Sequence, residues 1–594
     1  MVGELLYNNV SIEKRCLLVR RFSMPLFYGG SFPMMLHIRA ENRQLKIVWR
    51  ACAFARSAQN KKWRKNFLNR CKVRVEMGQN KPLVYGIIHI GSSTLSMRIV
   101  EYRGVNEIKV IEEVRKEVAF GEEVFLHKRL SFASIRRLCG MLNGLRQLLD
   151  DYRVDEYAVF ATAVFRESKN RRLILDLVRA NTGFNVRIID MPQEIYYKHF
   201  TLQHRIREIN RKRHYDLGVN FLFVDITSGC VGLTVWEQGA LKYQQNVHVG
   251  TLRLLESFTL NQRDSQDFPQ AMSEYIHSIM APLWKAISLY HPRCLVLSGR
   301  EARIMADLMK LDMDHHDMVE LAPADFDHMY EEAGSLPPSI IEQKYKMPEQ
   351  WAQAVLPTAH MYKEILDHVP VEKVIMMGTT FIDAAALFYG AEKTNDPELL
   401  YMRAQNIELT RSIAERYYYE PDHARMMEIY AHAILEALAK VTGLGEREEF
   451  LLRMAIILCQ VGKYVNLLGR SQQACRIVKG IDIFGLSDKE KDIVACIVFY
   501  DHSKFPSDDD EPFRVLDERA KMVVLKLVAI FRVVRAMDIS RKQKLQDVTA
   551  RLAEEKLTIQ YDSHDNTAIE TWMFDKEKEL FRNVFGLDAE LVRR

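Results

Sequence analysis

Two stretches of the sequence combine an apolar strand with small residues that can contact phosphate. In the first, the run Phe221–Val224 ends in Asp225, and Thr227, Ser228 and Gly229 follow it. A carboxylate at the end of a buried strand, followed by a turn with free backbone N–H groups, suits metal-bound phosphate. This stretch therefore predicts a phosphate loop with an acidic metal ligand.

The second stretch repeats the pattern with a histidine in place of the carboxylate. The run Val84–Ile90 carries His89, and Gly91, Ser92 and Ser93 follow it. Each stretch alone is weak evidence, because most strands that end in Gly and Ser simply turn. Together they predict a two-lobed α/β domain with a phosphoryl ligand in the cleft between the lobes.

The elements that must position these loops follow from hydrophobic periodicity. Alternation over residues 84–120 predicts a strand hairpin, and helical spacing predicts a helix from 131 to 151. A polar, basic segment over residues 205–216 is interpreted as the connector between the lobes. Two strand-then-glycine patterns, at residues 295–299 and 374–378, indicate that the second lobe repeats the first and that the cleft closes on a hinge.

The remainder of the chain is predicted to be helical and then mixed. From Leu399 onward, apolar stripes at helical spacing indicate a packed helical domain. Residues 556–561 alternate as a strand and precede a helix from 568 to 585. A small α/β tail is therefore expected at the end of the chain.

Composition is that of a large protein with several cores. The chain has 594 residues, 48% hydrophobic and 27% charged, and a net charge of +5. No run of about 18 uncharged apolar residues occurs, so we expect no membrane span. The nine cysteines are scattered without a C-x-x-C pair. Reduced thiols in a cytoplasmic protein are the simplest interpretation.

The first 76 residues differ from the rest in charge. They contain 16 Lys and Arg against four acidic residues, so the remainder of the chain is acidic. Such a basic arm is suited to nucleic acid or anionic lipid, and its Arg-rich, acid-poor composition is also mitochondrial-like. The favoured interpretation is an extension of doubtful structure from an over-long start-site assignment. Nucleic-acid binding is otherwise not expected.

Four motifs in order carry a family resemblance. The two stretches, with Phe160-Ala161-Thr162-Ala163-Val164-Phe165-Arg166-Glu167 and Ile188-Ile189-Asp190-Met191-Pro192-Gln193-Glu194, resemble the exopolyphosphatase/guanosine pentaphosphate phosphohydrolase (Ppx/GppA) family over roughly residues 83–390. Several motifs in order are more specific than one. The C-terminal part resembles the HD-type helical domain of longer members.

The resemblance implies a fold and an organisation. The fold is α/β, a two-lobed actin/Hsp70/sugar-kinase-like (ribonuclease H-like) domain followed by an all-α HD-like domain and a small α/β tail. The expected segments are a basic extension (1–76), phosphatase lobe I (77–210), phosphatase lobe II (211–395), the HD-like domain (396–545) and the tail (546–594).

The resemblance also implies site residues. Glu194 corresponds to the catalytic Glu that activates water, and Asp225 to a metal-associated Asp that would hold Mg²⁺ or Mn²⁺ in the interlobe cleft if the protein is active. The expected phosphate-binding residues are Gly91, Ser92, Ser93, Ser228 and Gly229.

Four positions depart from the family pattern. His89 stands where an Asp is usual, and imidazole is a poor ligand for Mg²⁺. Gly232 stands where the second loop usually ends in Glu, and we expect both positions to lie in strand-end loops. Cys459 and Gln460 stand where an HD domain has its His-Asp pair, so no metal is expected there, and His423 is expected to be satisfied by neighbouring hydrogen bonds and Asp538 to be a surface or capping group.

Two functions remain open from the sequence. The first is hydrolysis of polyphosphate or guanosine pentaphosphate, with weak activity because carboxylates are missing. The second is a degenerate relative, a pseudoenzyme that binds a phosphorylated ligand or a protein partner without turnover. Homodimer formation is also left open.

Overall fold

The computed structural model describes residues 82–213, 220–313, 318–501 and 504–594, and the backbone of three strands nearer the N-terminus. Those strands form an antiparallel sheet in the order β1 (Phe22–Leu26), β2 (Met34–Glu41) and β3 (Gln44–Arg50). They belong to a separate unit, Met1–Leu83. The expected extension 1–76 otherwise lies outside the described residues.

Lobe I, residues 84–213, is a five-stranded sheet in the order β6-β5-β4-β7-β8. Its strands are β4 (Leu83–Ile90), β5 (Thr94–Gly104), β6 (Glu107–Glu117), β7 (Tyr157–Ala161) and β8 (Val186–Ile188). β6 pairs antiparallel with β5, whereas β7 is parallel to β4 and β8 to β7. Its helices are α1 (Phe120–His127), α2 (Phe132–Asp151), α3 (Ala163–Glu167), α4 (Arg171–Thr182) and α5 (Met191–Arg213).

The long helix of lobe I confirms the periodicity of the sequence. The Ser131 side chain caps α2 by accepting a hydrogen bond from the Ser134 amide at 3.2 Å, which satisfies a free donor of the first turn. Its apolar stripe, including Leu138 and Leu142, is buried against the sheet. The prediction of this helix and of the hairpin before it is confirmed.

The predicted connector at residues 205–216 is wrong for most of its length. Helix α5 continues through Arg213 without a break. The Lys, Arg, Glu and Ile residues of this segment have good or moderate helix propensity, so its polarity does not indicate a loop.

Lobe II, residues 220–394, is a six-stranded sheet in the order β11-β10-β9-β12-β14-β13. Its strands are β9 (Asn220–Ile226), β10 (Val231–Glu237), β11 (Ala240–Val247), β12 (Cys294–Ser298), β13 (Val319–Leu321) and β14 (Lys373–Met377). Its helices are α6 (Thr251–Glu256), α7 (Leu260–Arg263), α8 (Phe268–Ser288), α9 (Arg300–Leu308), α10 (Pro323–Ala333), α11 (Pro338–Tyr345), α12 (Glu349–His368) and α13 (Phe381–Thr394).

The two sheets share one strand order. In each sheet, the first three strands of the lobe lie side by side, and the first strand, β4 or β9, has a parallel neighbour on its other side. That neighbour, β7 or β12, is followed by one more parallel strand, β8 or β14. Lobe II adds β13 at the edge, antiparallel to β14. This duplicated ribonuclease H-like order is that of the actin, Hsp70 and sugar-kinase fold, and it places both strand-to-loop stretches at the carboxyl ends of the first strands, where ligands of such sheets bind.

The rest of the chain is a helical domain and a mixed tail. The helices are α14 (Pro397–Glu415), α15 (Pro421–Thr442), α16 (Glu446–Leu458), a 3₁₀ helix (Val461–Tyr464), α17 (Arg470–Gly480), α18 (Asp488–Phe499), α19 (Glu511–Arg514) and α20 (Glu518–Met537). The tail contains β15 (Gln546–Ala553), β16 (Lys556–Asp562), α21 (Ala568–Phe585) and β17 (Asp588–Arg593). Buried Arg532 joins the two by donating to Glu577 at 2.6 Å.

Within these described ranges, no helix is both long enough and apolar enough to cross a membrane.

Helix α5 of lobe I contacts two other parts of the molecule, lobe II and the helical domain, through one histidine. His199, fully buried, accepts a hydrogen bond at Nε2 from the Trp236 indole N–H of lobe II at 2.8 Å. The two rings are stacked, and the ring of Phe484 from the helical domain lies 5.5 Å from that of His199. His199 therefore has to remain neutral at Nε2 for the packing to persist.

This requirement predicts a pH dependence of stability. Burial, with a smaller effect of Arg207, lowers the pKa of His199 to about 3. Because the unfolded chain binds a proton near pH 6.5 and the folded chain does not, stability contributed by this site is present above pH 6.5 and falls below it. At pH 5.5 the loss is about 1.4 kcal/mol relative to pH 7.5.

Urea unfolding of the wild type and of His199→Gln at both pH values checks this expectation. Gln keeps an oxygen that can accept from Trp236 but does not titrate, so the variant is expected to lose about 1.4 kcal/mol less than the wild type between the two pH values. An identical pH dependence in both proteins contradicts the assignment.

Candidate active site

The two phosphate loops meet at the interlobe cleft. The hydroxyls of Ser92, after β4, and Ser228, after β9, lie 2.5 Å apart. Each loop is a tight turn, since the Gly91 amide donates to the Thr94 carbonyl and the Thr227 amide to the Cys230 carbonyl, both at 2.9 Å. The predicted phosphate-binding residues are thus brought together from both lobes.

A glycine that sequence reasoning missed supports the second loop. A Cβ on Gly250 would lie 2.4 Å from the amide nitrogens of Gly229 and Cys230, so only glycine fits behind the loop. The residues that follow donate into the loop, with the Thr251 amide 3.0 Å from the Thr227 carbonyl and the Leu252 amide 3.1 Å from the Ser228 carbonyl. The start of α6 therefore holds the phosphate loop in place.

The catalytic candidate Glu194 lies in the first turn of α5, and Asp225 lies on β9. Both are buried, and a lysine stands between them. Lys198 Nζ is 2.8 Å from Asp225 Oδ2 and 3.9 Å from Glu194 Oε1. The Lys198 side chain is 4% exposed and that of Asp225 is fully buried. Sequence reasoning missed Lys198, although its i,i+4 spacing from Glu194 was a visible signal.

Lys198 is held in its charged form. Burial alone disfavours the ammonium group, but Asp225 first and Glu194 second favour it more strongly, and the pKa of Lys198 is raised above its ordinary value. A buried ammonium 2.8 Å from a carboxylate forms a charge-assisted hydrogen bond. The site therefore contains a permanent cation supplied by the protein.

A second carboxylate and two polar groups line the lobe II side. Glu301, buried at the start of α9, accepts hydrogen bonds from Thr251 at 3.2 Å and from Arg300 at 3.0 Å. Arg300 lines a small interlobe pocket with Ser92 and Ser93.

Arg166 contacts the catalytic candidate from the lobe I side. Its Nη1 donates to the Ile189 carbonyl at 2.9 Å and lies 3.4 Å from Glu194 Oε2. Its neighbour Glu167 pairs with Arg253 of α6, which also donates to the Gly229 carbonyl at 2.9 Å. Basic groups therefore surround Glu194 and link the two lobes.

His89 is neutral in this setting. Burial is the largest effect and lowers its pKa to about 4, with Glu194 opposing and Lys198 adding to the shift. Its Nε2 lies 3.2 Å from the Thr162 hydroxyl, and its ring packs 4.6 Å from that of Phe381. His89 thus fills a position inside the site without supplying charge.

Neither His89 nor Gly232 is in a strand-end loop, which corrects the expectation, because His89 is the penultimate residue of β4. Gly232 differs more. It is the second residue of β10, buried and paired with Asp225 across the sheet. A Cβ there would lie 2.6 Å from Ile195 Cδ1. A carboxylate at this position therefore requires Ile195 to move, and the fold does not accept the change freely.

The residues do not fit a divalent cation shared by Glu194 and Asp225. A shared ion would have to lie between these carboxylates, where the Lys198 ammonium lies 2.8 Å from Asp225. Mg²⁺ requires near-octahedral oxygen ligands at about 2.0–2.1 Å, and His89 and Gly232 supply none. Asp225 as a metal ligand stays a prediction.

Space in the cleft is uneven. The pocket beside Ser92, Ser93 and Arg300 has a volume of about 30 Å³, which is enough for a water molecule. A cleft of about 440 Å³ lies on the other side of Arg166, between both lobes and the helical domain. It is lined by Arg166, Glu167, Asp190, His248, Arg253, Asp482, Asp488 and Lys491, among others. This larger cleft is within the usual size of ligand sites.

Two residues that the resemblance to HD-type domains singled out meet in the helical domain. His423 Nδ1 lies 2.7 Å from Asp538 Oδ2, so the expectation that neighbours satisfy His423 is confirmed. Asp538 follows α20 as its C-cap but is buried, which corrects the expected surface position. The Cys459 thiol donates to the Ile456 carbonyl, and Gln460 Oε1 accepts from Lys463 at 3.1 Å. Neither completes a metal site with His423.

Comparison with known proteins agrees with this arrangement. The Ppx/GppA phosphatase family model matches residues 98–337, and the model of Ppx/GppA phosphatase domain III matches residues 407–579. A bifunctional 3-dehydroquinate synthase/phosphatase of Fusobacterium nucleatum subsp. nucleatum is 27% identical over 182 residues, which is 30% of this chain and 26% of the relative. The chain thus spans about a quarter of the length of this curated relative.

Two solved structures are similar at low identity. An exopolyphosphatase from Cytophaga hutchinsonii is 16% identical, with a TM-score of 0.46 over 53% of this chain and 99% of that chain. A Ppx/GppA family member from Aquifex aeolicus is 16% identical, with a TM-score of 0.44 over 53% and 99% of the two chains.

The buried pair predicts a stability defect that a second change repairs. Lys198→Met leaves Asp225 buried without its cation and is expected to lower the free energy of unfolding by about 3–5 kcal/mol. Lys198→Met together with Asp225→Asn removes both charges and is expected to recover most of the loss.

Urea unfolding at pH 7 measures both variants, with Lys285→Met as the matched control. Lys285 is exposed on α8, and the control is expected to change stability by at most about 0.5 kcal/mol. A Lys198→Met protein as stable as the wild type would show that the pair is not the buried constraint described above.

Proposed function

Because the chain belongs to the Ppx/GppA phosphatase family, we propose that it hydrolyses a terminal phosphoanhydride, in polyphosphate or in guanosine pentaphosphate, with Lys198 in place of a divalent cation. The observation that carries the proposal is the Lys198 ammonium, 2.8 Å from Asp225 and 3.9 Å from Glu194. Charge stabilisation inside a water-poor site is a large contribution to phosphoryl transfer.

The residues divide the chemistry among them. Glu194 takes a proton from water, the water oxygen bonds to the terminal phosphorus, and the bridging P–O bond breaks to release phosphate. Lys198, with Arg166 and the Ser92 and Ser228 hydroxyls, compensates the charge on the phosphoryl oxygens. The larger cleft beside Arg166 has room for the rest of an elongated substrate, with Arg166, Arg253 and Lys491 as its basic side chains among four carboxylates.

A second candidate is binding without turnover. The 2.5 Å contact between the Ser92 and Ser228 hydroxyls favours it, because the two loops touch there and the nearby pocket beside Ser92, Ser93 and Arg300 holds only about 30 Å³. A phosphoryl group enters only if the lobes separate. A protein that stays in the closed form can bind a phosphorylated ligand in the larger cleft without hydrolysing it.

Phosphate release distinguishes the two candidates. Polyphosphate and guanosine pentaphosphate are tested as separate substrates. Hydrolysis is expected to proceed in EDTA, and its rate is expected to change little when Mg²⁺ or Mn²⁺ is added, because Lys198 is part of the protein. Glu194→Gln is expected to lower turnover by about 10²–10⁴-fold with ligand binding nearly intact. Glu331→Gln, an exposed change on α10, is the control.

The outcomes separate as follows. Binding of either substrate without phosphate release supports the second candidate. Turnover that requires Mg²⁺ contradicts the role given to Lys198, and turnover unchanged by Glu194→Gln removes Glu194 from the chemistry.

Replacement of the Lys198 ammonium group by Mg²⁺ is a further prediction. Lys198→Met removes the ammonium group and His89→Asp adds a carboxylate next to Glu194, so the double variant is expected to require Mg²⁺ for any turnover. Mg²⁺ is also expected to raise its thermal midpoint, which provides a readout that does not need activity. His89→Asn with Lys198→Met is the matched control without the added charge. Equal Mg²⁺ responses in the two double variants contradict the prediction.

A further inference from the structure

Two helices on lobe II bring together three side chains that can bind metal, away from the site described above. His277 lies on α8, and Glu364 and His368 lie one turn apart on α12. One ligand atom from each of the three lies within 4.8 Å of the others. The Glu364 side chain is 8% exposed, His368 is half-buried, and His277 is open to solvent.

The spacing is close to that of a metal site. His277 Nδ1 lies 2.9 Å from Glu364 Oε1. In a tetrahedral zinc site with bonds of about 2.0–2.1 Å, neighbouring ligand atoms lie about 3.3 Å apart. The two imidazole rings have centroids 5.2 Å apart. Small rotations of the exposed His277 side chain are enough to bring its nitrogen to the required distance.

Neighbouring groups already orient the ligands. His368 Nδ1 lies 2.8 Å from the Glu364 backbone carbonyl and 3.3 Å from Glu364 Oε1. A metal ion bound through Nδ1 replaces the hydrogen bond to the carbonyl, whereas one bound through Nε2 keeps it. The Trp284 indole N–H donates to Glu364 Oε1 at 2.9 Å, and the Trp284 ring stacks on that of His368. Ligands of protein metal sites are commonly fixed in this way by hydrogen bonds from a second layer of residues.

The ligand types select the metal. Two imidazoles and one carboxylate suit zinc and similar transition metals, whereas Mg²⁺ and Ca²⁺ prefer oxygen ligands throughout. Three protein ligands leave one position open to water or another ligand, on the side where His277 faces solvent.

We propose that His277, Glu364 and His368 form a site for a divalent transition metal, with zinc as the preferred ion, that cross-links α8 to α12. This site is independent of the proposed hydrolysis. Two of its three proposed ligands are histidines, whereas the interlobe cleft contains the carboxylates Glu194 and Asp225 with Lys198 between them.

Titration of the full-length, tag-free protein with Zn²⁺ and Co²⁺ tests the site. The wild type is expected to bind one ion. The affinity for that ion is expected to be lower by about 100-fold or more in His277→Ala and in His368→Ala. The visible absorption spectrum of bound Co²⁺ is expected to be that of a four-coordinate ion with nitrogen ligands. His328→Ala, which changes an exposed histidine on α10, is expected to bind as the wild type does.

Trp284→Phe distinguishes a metal site from a hydrogen-bonded contact between helices. It removes the hydrogen bond to Glu364 but no ligand, and it is expected to weaken Zn²⁺ binding by about 10–100-fold. Absence of Zn²⁺ and Co²⁺ binding by the wild type overturns the proposal, as does binding by the His277→Ala and His368→Ala variants that is as tight as that of the wild type.

Discussion

The structure of the cleft depends on one buried ion pair, Lys198 with Asp225. Lys198 comes from helix α5 of lobe I and Asp225 from strand β9 of lobe II, so the pair also joins the lobes. Removing two charges from water costs several kcal/mol for each ion, and only close, well-directed pairing offsets that cost. The lobes therefore have to meet at a fixed distance, which explains why the serine hydroxyls of the two loops are in contact.

The helical domain also pairs a carboxylate with basic side chains. Near Gln460, Lys463 lies 3.3 Å from Glu420, and Arg541 also pairs with Glu420. His423 remains bonded to Asp538. Basic side chains thus neutralise carboxylates at both places where the sequence resembles a metal-dependent family.

The sequence predicted the order of the elements better than the detail of the site. Strand-to-loop stretches and apolar periodicity were sufficient for the two lobes, because those signals are local. Lys198 was missed since its function depends on Asp225, 27 residues away along the chain, and no local pattern reports such a pairing. The position of Gly232 was misjudged because a strand can begin directly after a tight turn, and element boundaries are the least certain part of any prediction.

Helix α5 carries three functions on one rigid body. Its first turn presents Glu194, its second presents Lys198, and the adjacent His199 contacts lobe II and the helical domain. A helix translates and rotates as a unit because its backbone hydrogen bonds resist internal change. Any separation of the lobes that admits a polyanion and moves this helix therefore shifts Glu194, Lys198 and the His199 contact with the helical domain together. Movement in the cleft is thereby coupled to the contact between His199 and Phe484 of the helical domain.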